Sequence, residues 1–333
     1  MTLLLNSIAH FLVDALCVTT LFSAGEEGER LIAGILFYNT LAFSTQCVVG
    51  LLVDRYRLSK MPELASLVCV VLGFVLPLPF FLRVALVGLG NSVFHVTAGT
   101  VTLRESSGKS WPLGVFVAPG AFGVTLGTLY PRFGWLLASL MLLCAAMILA
   151  THKEDLRISK PISFSASGFP TLPVLLLACA VAVRALGGVA VSFPWKKTAV
   201  HAFLMTFFVF AGKTAGGFVC DKIGAKRTAW LSVPLAAVCI AFFSRSMPLS
   251  LVGQFLLNLS MPVTLWLLWL MMPDSPGFAF GLAASALWPG TIAGQFISLS
   301  GPYLRTLVIL TFCFGIFAII YSSNRFSKGH DRS

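Results

Sequence analysis

The sequence predicts an all-α, polytopic membrane protein of twelve transmembrane helices in two pseudo-symmetric six-helix bundles. Three observations carry that expectation. First, 57% of the 333 residues are apolar and only 11% are charged, against about a quarter charged in an ordinary soluble domain. So few charges cannot solvate a globule of this size, and the expected solvent is lipid. Second, the apolar residues fall in runs of about 20, the length that crosses a hydrocarbon core as a helix. Third, one phrase occurs twice. Gly50-Leu51-Leu52-Val53-Asp54-Arg55 closes one apolar run and Gly217-Phe218-Val219-Cys220-Asp221-Lys222 closes another. The two aspartates stand 167 residues apart, half the chain, as duplication of one six-helix unit would place them.

Helix 1 is expected over 3–23. No basic segment precedes its apolar run, so it is expected to stay as a signal anchor. Glu26, Glu27, Glu29 and Arg30 form a loop before helix 2 (31–53), which ends on Arg55, Arg57 and Lys60. Helix 3 (63–79) and helix 4 (80–103) meet tightly at Pro77 and Pro79. A polar loop from Arg104 to Ser110 leads to helix 5 (111–129), and helix 6 covers 133–151. The longest polar segment, His152 to Pro170, falls at the midpoint and reads as a linker. Helix 7 (171–193), helix 8 (199–220), helix 9 (228–244), helix 10 (248–272), helix 11 (277–297) and helix 12 (302–322) follow. The expected domains are an N-terminal bundle (1–151), a cytoplasmic linker (152–169) and a C-terminal bundle with a short tail (170–333). Two further pairs repeat at 170 residues: Pro119-Gly120 with Pro289-Gly290, and Asp14 in helix 1 with Arg184 in helix 7.

The net charge of +11 does not point to nucleic acid, because the basic residues sit in short gaps between apolar runs. Fourteen Lys and Arg fall on one side of the expected membrane and seven on the other. Positive loops stay inside, so both termini and the linker are expected in the cytoplasm. The eight cysteines lie in apolar stretches with no CxxC spacing and read as small hydrophobes.

Twelve spans, a midpoint linker and a Gly-x-x-x-Asp-basic loop after helices 2 and 8 resemble the major facilitator superfamily. In the second loop Gly217, Asp221, Lys222, Gly224 and Lys226 match the superfamily pattern, followed by Arg227. In the first, Gly50, Leu52, Asp54 and Arg55 match, while Arg57 and Leu58 stand where a glycine and an arginine are usual. His10-Phe11-Leu12-Val13-Asp14 and Gly88-Leu89-Gly90-Asn91-Ser92-Val93-Phe94-His95 are similar to words in helices 1 and 4 of the fosmidomycin-resistance-type exporters. Val96 replaces a proline usual after that histidine. The resemblance implies alternating access, a cavity lined by helices 1 and 7, and a cytoplasmic gate latched by Asp54 and Asp221.

A charge at mid-membrane costs about 2.5–3.5 kcal/mol on insertion scales, so it usually faces a cavity or a partner. Asp14 is such a group, and His10, one turn earlier, shares its face. The pair reads as a proton site, or as a fixed polar pair orienting helix 1. Arg184 reads as a clamp for an anionic group, or as half of a salt bridge with Asp14. Lys213 sits two turns before Asp221 and reads as a substrate contact or a snorkelling base. Gln46, Asn91, His95 and Asn258 are further cavity candidates, with Asn39 and Gln254 beside them, and each also reads as an interhelical hydrogen bond. Trp266, Trp269 and Trp288 suit stacking or packing. Pro119, Gly120, Pro289 and Gly290 are expected to bend helices 5 and 11.

The function expected is secondary active transport of a small organic solute, with a lean toward an anionic one. Coupling to protons and an antiporter-like efflux direction are further expectations. The partners are the substrate, protons and the lipid bilayer of a bacterial plasma membrane, with the protein as a monomer. No cofactor, metal or nucleic acid is expected, and the lack of an HExxH or GxSxG word in any span speaks against an enzyme. A membrane enzyme using His10 and Asp14 as acid and base, and a non-transporting receptor of the same shape, are the rival readings.

Overall fold

A computed structural model describes residues 1–56, 60–151, 170–297 and 299–330. The loop positions Arg57 and Leu58, the linker 152–169 and the end of the tail lie outside them. Among the described residues every element is helical. Helices 1 (Thr2–Phe22), 2 (Gly28–Tyr56), 4 (Phe80–Glu105), 5 (Trp111–Leu129), 6 (Pro131–Thr151), 7 (Thr171–Ala190), 8 (Ala199–Ile223), 9 (Ala225–Phe243), 10 (Met247–Met271) and 12 (Gly301–Phe326) are each long and apolar enough to span a membrane. Helix 3 is the short run Lys60–Val75, and helix 11 comes in two pieces, Pro276–Ser285 and Leu287–Phe296. The chain is an integral membrane protein.

Helix 3 stops four residues before its expected end. Residues that precede a proline are pushed out of the α region, and Leu76 and Leu78 precede Pro77 and Pro79. Helix 2 starts three residues early, so Glu29 and Arg30 are helical and Arg30 Nε reaches Glu26 at 2.9 Å. Helix 2 also carries a π turn at Thr40–Ser44, which its apolar pattern does not announce. There the hydroxyls of Thr40, Ser44 and Thr45 donate back to the carbonyls of Leu36, Thr40 and Leu41 at 2.8, 2.5 and 2.6 Å. Such back-bonding bends a helix.

The chain forms two compact units. The first comprises Met1–Glu105, Val115–Ile162 and Asp274–Ser285; the second comprises Ser106–Gly114, Ser163–Pro273 and Ala286–Ser333. Each is built chiefly from one half of the sequence and takes in one short segment of the other. In the first unit Leu16, Leu67, Phe94, Phe116 and Met141 are fully buried. On helix 6 of that unit, Leu136, Leu140, Leu143 and Met147 face outward, while Leu137, Met141, Cys144 and Ile148 face inward. The outward stripe is what a lipid-facing helix presents. The second unit packs Val233, Ala236, Ile240, Leu257, Val308 and Phe312 together.

Lipid removes the hydrophobic drive between helices, so small residues that let backbones approach carry much of the packing. In the first unit Gly123 and Gly127 of helix 5 meet the backbone of helix 1. A Cβ at Gly123 would stand 2.9 Å from Ala15 N, and one at Gly127 3.0 Å from Thr19 N.

Candidate functional site

Helix 5 breaks where Pro119 stands, with helical segments Trp111–Val117 and Gly120–Leu129 on either side. Proline has no N–H, so a carbonyl four residues back loses its partner. Helix 1 supplies replacements. Ser7 Oγ donates to Val115 O at 3.5 Å, and His10 Nδ1 donates to Phe116 O at 2.8 Å. The break in one helix therefore fixes the ring of His10 on another.

Around that ring the first unit gathers three further polar side chains, Asp14, Asn91 and His95. His10 Nε2 lies 2.8 Å from His95 Nε2 and 3.3 Å from Asp14 Oδ2. His95 Nε2 is 3.6 Å from Asp14 Oδ1. Asn91 Nδ2 donates to Asp14 Oδ1 at 3.0 Å, and the ring of His95 is anchored by Nδ1 donating to Asn91 O at 2.9 Å. Helix 1 contributes His10 and Asp14; helix 4 contributes Asn91 and His95, one turn apart on one face. The side chains of Asp14 and His95 keep 14% and 13% of their surface accessible, against 6% for His10. Gly120 closes one flank, where a Cβ would stand 2.5 Å from His10 Nε2.

Both imidazoles give their Nδ1 hydrogen to a carbonyl, which can only accept. When neutral, each therefore presents an Nε2 lone pair. Two lone pairs 2.8 Å apart beside a carboxylate make a set of donors that attracts a cation.

Sequence reading named all four residues and joined His10 to Asp14 by their spacing. It did not join His95 to that pair, because 85 residues of chain separate the two histidines. The other candidates lie elsewhere. Gln46 Nε2 donates to Ala42 O at 2.7 Å beside the π turn. Asn258 donates within its own helix to Gln254 O at 2.8 Å. Trp266 Nε1 donates to Gly108 O at 2.8 Å, a packing bond. In the second unit Arg184 Nη1 donates to Ser260 Oγ at 3.2 Å, beside a small cavity also lined by Thr264 and Thr311. No carboxylate among that unit's described residues is ion-paired with Arg184. The Lys213 carbonyl faces Gly114 of helix 5, where a Cβ would stand 2.6 Å from it. Two groups went unnamed by sequence reading: Asn6 and Glu63 are fully buried with side-chain N and O atoms that no described protein group satisfies. Glu63 sits in the first turn of helix 3, where an acid looks like an ordinary interface residue.

The repeated loops share one geometry. In the first unit Asp54, itself buried, accepts from Gly277 N at 2.9 Å and Phe278 N at 2.6 Å, at the start of helix 11. Arg104 Nη2 stands 3.8 Å from the same carboxylate. In the second unit Asp221 accepts from Ser110 N at 2.7 Å, Ser110 Oγ at 2.8 Å and Trp111 N at 3.0 Å, at the start of helix 5. Each carboxylate thus satisfies orphan amides at the positive end of a helix dipole. The glycines make the approach possible. Gly277 N and Phe278 N reach Asp54 because Gly50 lies against their backbone, and a Cβ at Gly217 would stand 2.6 Å from Trp111 Cα. Gly224, at φ +85°, ends helix 8 and opens helix 9 in a conformation that a side chain resists. The basic residues Arg55, Lys222 and Arg227 are exposed and Lys226 is half-buried.

Pro289 acts on helix 11 as Pro119 acts on helix 5. Its missing N–H and its ring leave the carbonyl of Ser285, four residues back, without a helical partner, and the helix is interrupted at Ala286, between Pro276–Ser285 and Leu287–Phe296. Gly290 is buried against helix 7, where a Cβ would stand 2.8 Å from Ala182 C.

Neither a protein-family model nor a curated protein matches this chain. Solved structures do. FucP, a major facilitator superfamily transporter in the outward conformation, matches with a TM-score of 0.70 at 14% identity, covering 96% of this chain and 98% of its own. A variant of the E. coli fucose:proton symporter FucP matches at 0.68 and 14%, with the same coverage. The likeness is one of architecture, and it spans nearly the whole chain: this protein has the fold of a major facilitator superfamily transporter.

Proposed function

We propose that this protein is a secondary active transporter of the major facilitator superfamily that moves a small organic solute by alternating access. The observation that carries the reading is the matched pair of helix caps. Asp54 holds the start of helix 11 and Asp221 holds the start of helix 5, each tying a segment from one half of the sequence to a loop from the other. Caps of this kind are reversible: a few hydrogen bonds form when one side of the protein is closed and part when it opens. A membrane enzyme has no use for such a duplicated latch.

In this reading each sequence half, 1–151 and 170–333, moves as one bundle, and both termini and the basic loops face the cytoplasm of a bacterial cell. The caps then close the cytoplasmic side. The His10–Asp14–His95 cluster holds the coupling cation, for which a proton is the smallest occupant. Arg184 meets an anionic group of the substrate. Export rather than uptake rests on the words shared with the fosmidomycin-resistance-type exporters around His10 and His95.

The test is flux in proteoliposomes, with substrate chosen by a thermal-shift screen of organic acids and drugs. The wild type is expected to concentrate or expel the solute when a cation gradient is imposed. Asp14→Asn is expected to leave solute exchange intact and to abolish the response to the gradient. Failure of the wild type to move any solute that it binds would overturn the reading.

A further inference from the structure

We infer that His10, Asp14 and His95 form a binding site for one divalent transition-metal ion of the Zn²⁺ or Co²⁺ type. The inference names the cation class for the cluster, and its binding test stands apart from whether the protein transports anything.

Three observations carry it. The donor set is two imidazole nitrogens and one carboxylate oxygen, which suits first-row transition metals over Mg²⁺ and Ca²⁺. The spacing fits as well. A tetrahedral ion with ligands at about 2.0–2.1 Å sets those ligands about 3.3 Å apart. Here the two nitrogens are 2.8 Å apart, Asp14 Oδ2 lies 3.3 Å from His10 Nε2 and Asp14 Oδ1 lies 3.6 Å from His95 Nε2, and one ligand atom from each residue falls within 4.8 Å of the others. With both Nδ1 hydrogens given to carbonyls, neither neutral ring has an Nε2 hydrogen to share with the other, so both nitrogens are donors to an ion.

The supporting groups are also in place. Metal-binding histidines turn one nitrogen to the ion by donating the other N–H to a carbonyl or carboxylate. His10 does so to Phe116 O and His95 to Asn91 O. Asn91 Nδ2 steadies the carboxylate at Asp14 Oδ1. The bare flank at Gly120 completes the set, because a methyl there would fall among the donor atoms. With three protein ligands a fourth position stays open for water or a solute donor. Access runs past Asp14 and His95, whose side chains retain exposed surface.

The test uses the full chain, purified in detergent without a polyhistidine tag and stripped with a chelator. Isothermal titration with Zn²⁺ and absorption spectroscopy with Co²⁺ are then run on the wild type. The expected result is one ion per chain, a tetrahedral or five-coordinate Co²⁺ spectrum bleached by Zn²⁺, and no competition from excess Mg²⁺. His10→Ala and His95→Ala are each expected to weaken binding at least 100-fold, while His201→Ala, outside the cluster, leaves it unchanged. The wild-type spectrum reports ligand type even if a variant fails to fold. No stoichiometric uptake by the wild type, or uptake that survives both histidine substitutions, overturns the inference. If the wild type takes up no metal yet Asp14→Asn still uncouples flux, a proton fills the cluster. The metal site then falls while the transport reading stands.

Discussion

Asn91 and Arg184 show how differently two intramembrane polar residues are used. Asn91 anchors Asp14 through its side-chain amide and His95 through its backbone carbonyl. Losing such an outer-shell partner typically costs about 10–100-fold in metal affinity, and Asn91→Ala is expected to weaken Zn²⁺ binding on that scale in the same titration. Arg184 has the opposite profile, with one hydroxyl partner and a cavity beside it. Its role is tested by substrate affinity. Arg184→Gln is expected to weaken binding of an anionic solute by about 10- to 100-fold, the worth of a hydrogen bond to a charged group. Unchanged affinity for such a solute would remove the anionic lean. At this scale the identities were legible in the sequence and the groupings only partly so. Helical spacing joins His10 to Asp14 and Asn91 to His95, since both are facts of one helix. That the two pairs meet is a fact of packing between helices 1 and 4, which no local pattern encodes.

Breaks and bulges decide how the helices meet. Proline marked the break in helix 5 to the residue, because the lost N–H and the ring act locally. In helix 11 Pro289 marked the break in the same way, since the carbonyl it orphans belongs to Ser285, the last residue before the interruption. The π turn of helix 2 had only a cluster of Thr and Ser hydroxyls to announce it, and these are common in membrane helices. What holds the π turn is distant in sequence. Ser285, the last residue before the bend of helix 11, accepts from Cys47 N at 2.8 Å and donates to Phe43 O at 2.8 Å, with Ser44 O at 3.2 Å. One hydroxyl therefore satisfies backbone groups that the widened turn leaves open. Ser285→Ala is expected to cost about 1–3 kcal/mol, the penalty of stranding such groups, read as a lower thermal midpoint in detergent. Ser285→Thr, which keeps the hydroxyl, is expected to recover part of it. A midpoint that ignores both substitutions would mean that water does the same work.

The duplicated loops set the behaviour of the whole molecule. The number of spans, their order and the two aspartates were all readable from hydropathy and repetition. The exchange of segments was not, since hydropathy locates helices without pairing them. A side-chain cap on a helix start is worth about 0.5–2 kcal/mol, and Asp54 and Asp221 each bind two backbone amides. Thermal midpoints are therefore expected to fall in the order wild type, Asp221→Asn, Asp221→Ala, since asparagine keeps an acceptor and loses the charge. The same order is expected at Asp54, with larger steps because that carboxylate is buried and Asp221 is exposed. Solute flux that is indifferent to all four variants would leave alternating access without its latch.

The borrowed segment Asp274–Ser285 has a bearing on biogenesis. A ribosome that has delivered the first six spans has made a bundle whose Asp54 has no helix to cap and whose π turn has no serine to seal it. Completion waits until Ser285 has emerged. Nascent chains stalled before that point should be prey for membrane proteases, and those stalled just beyond it should survive.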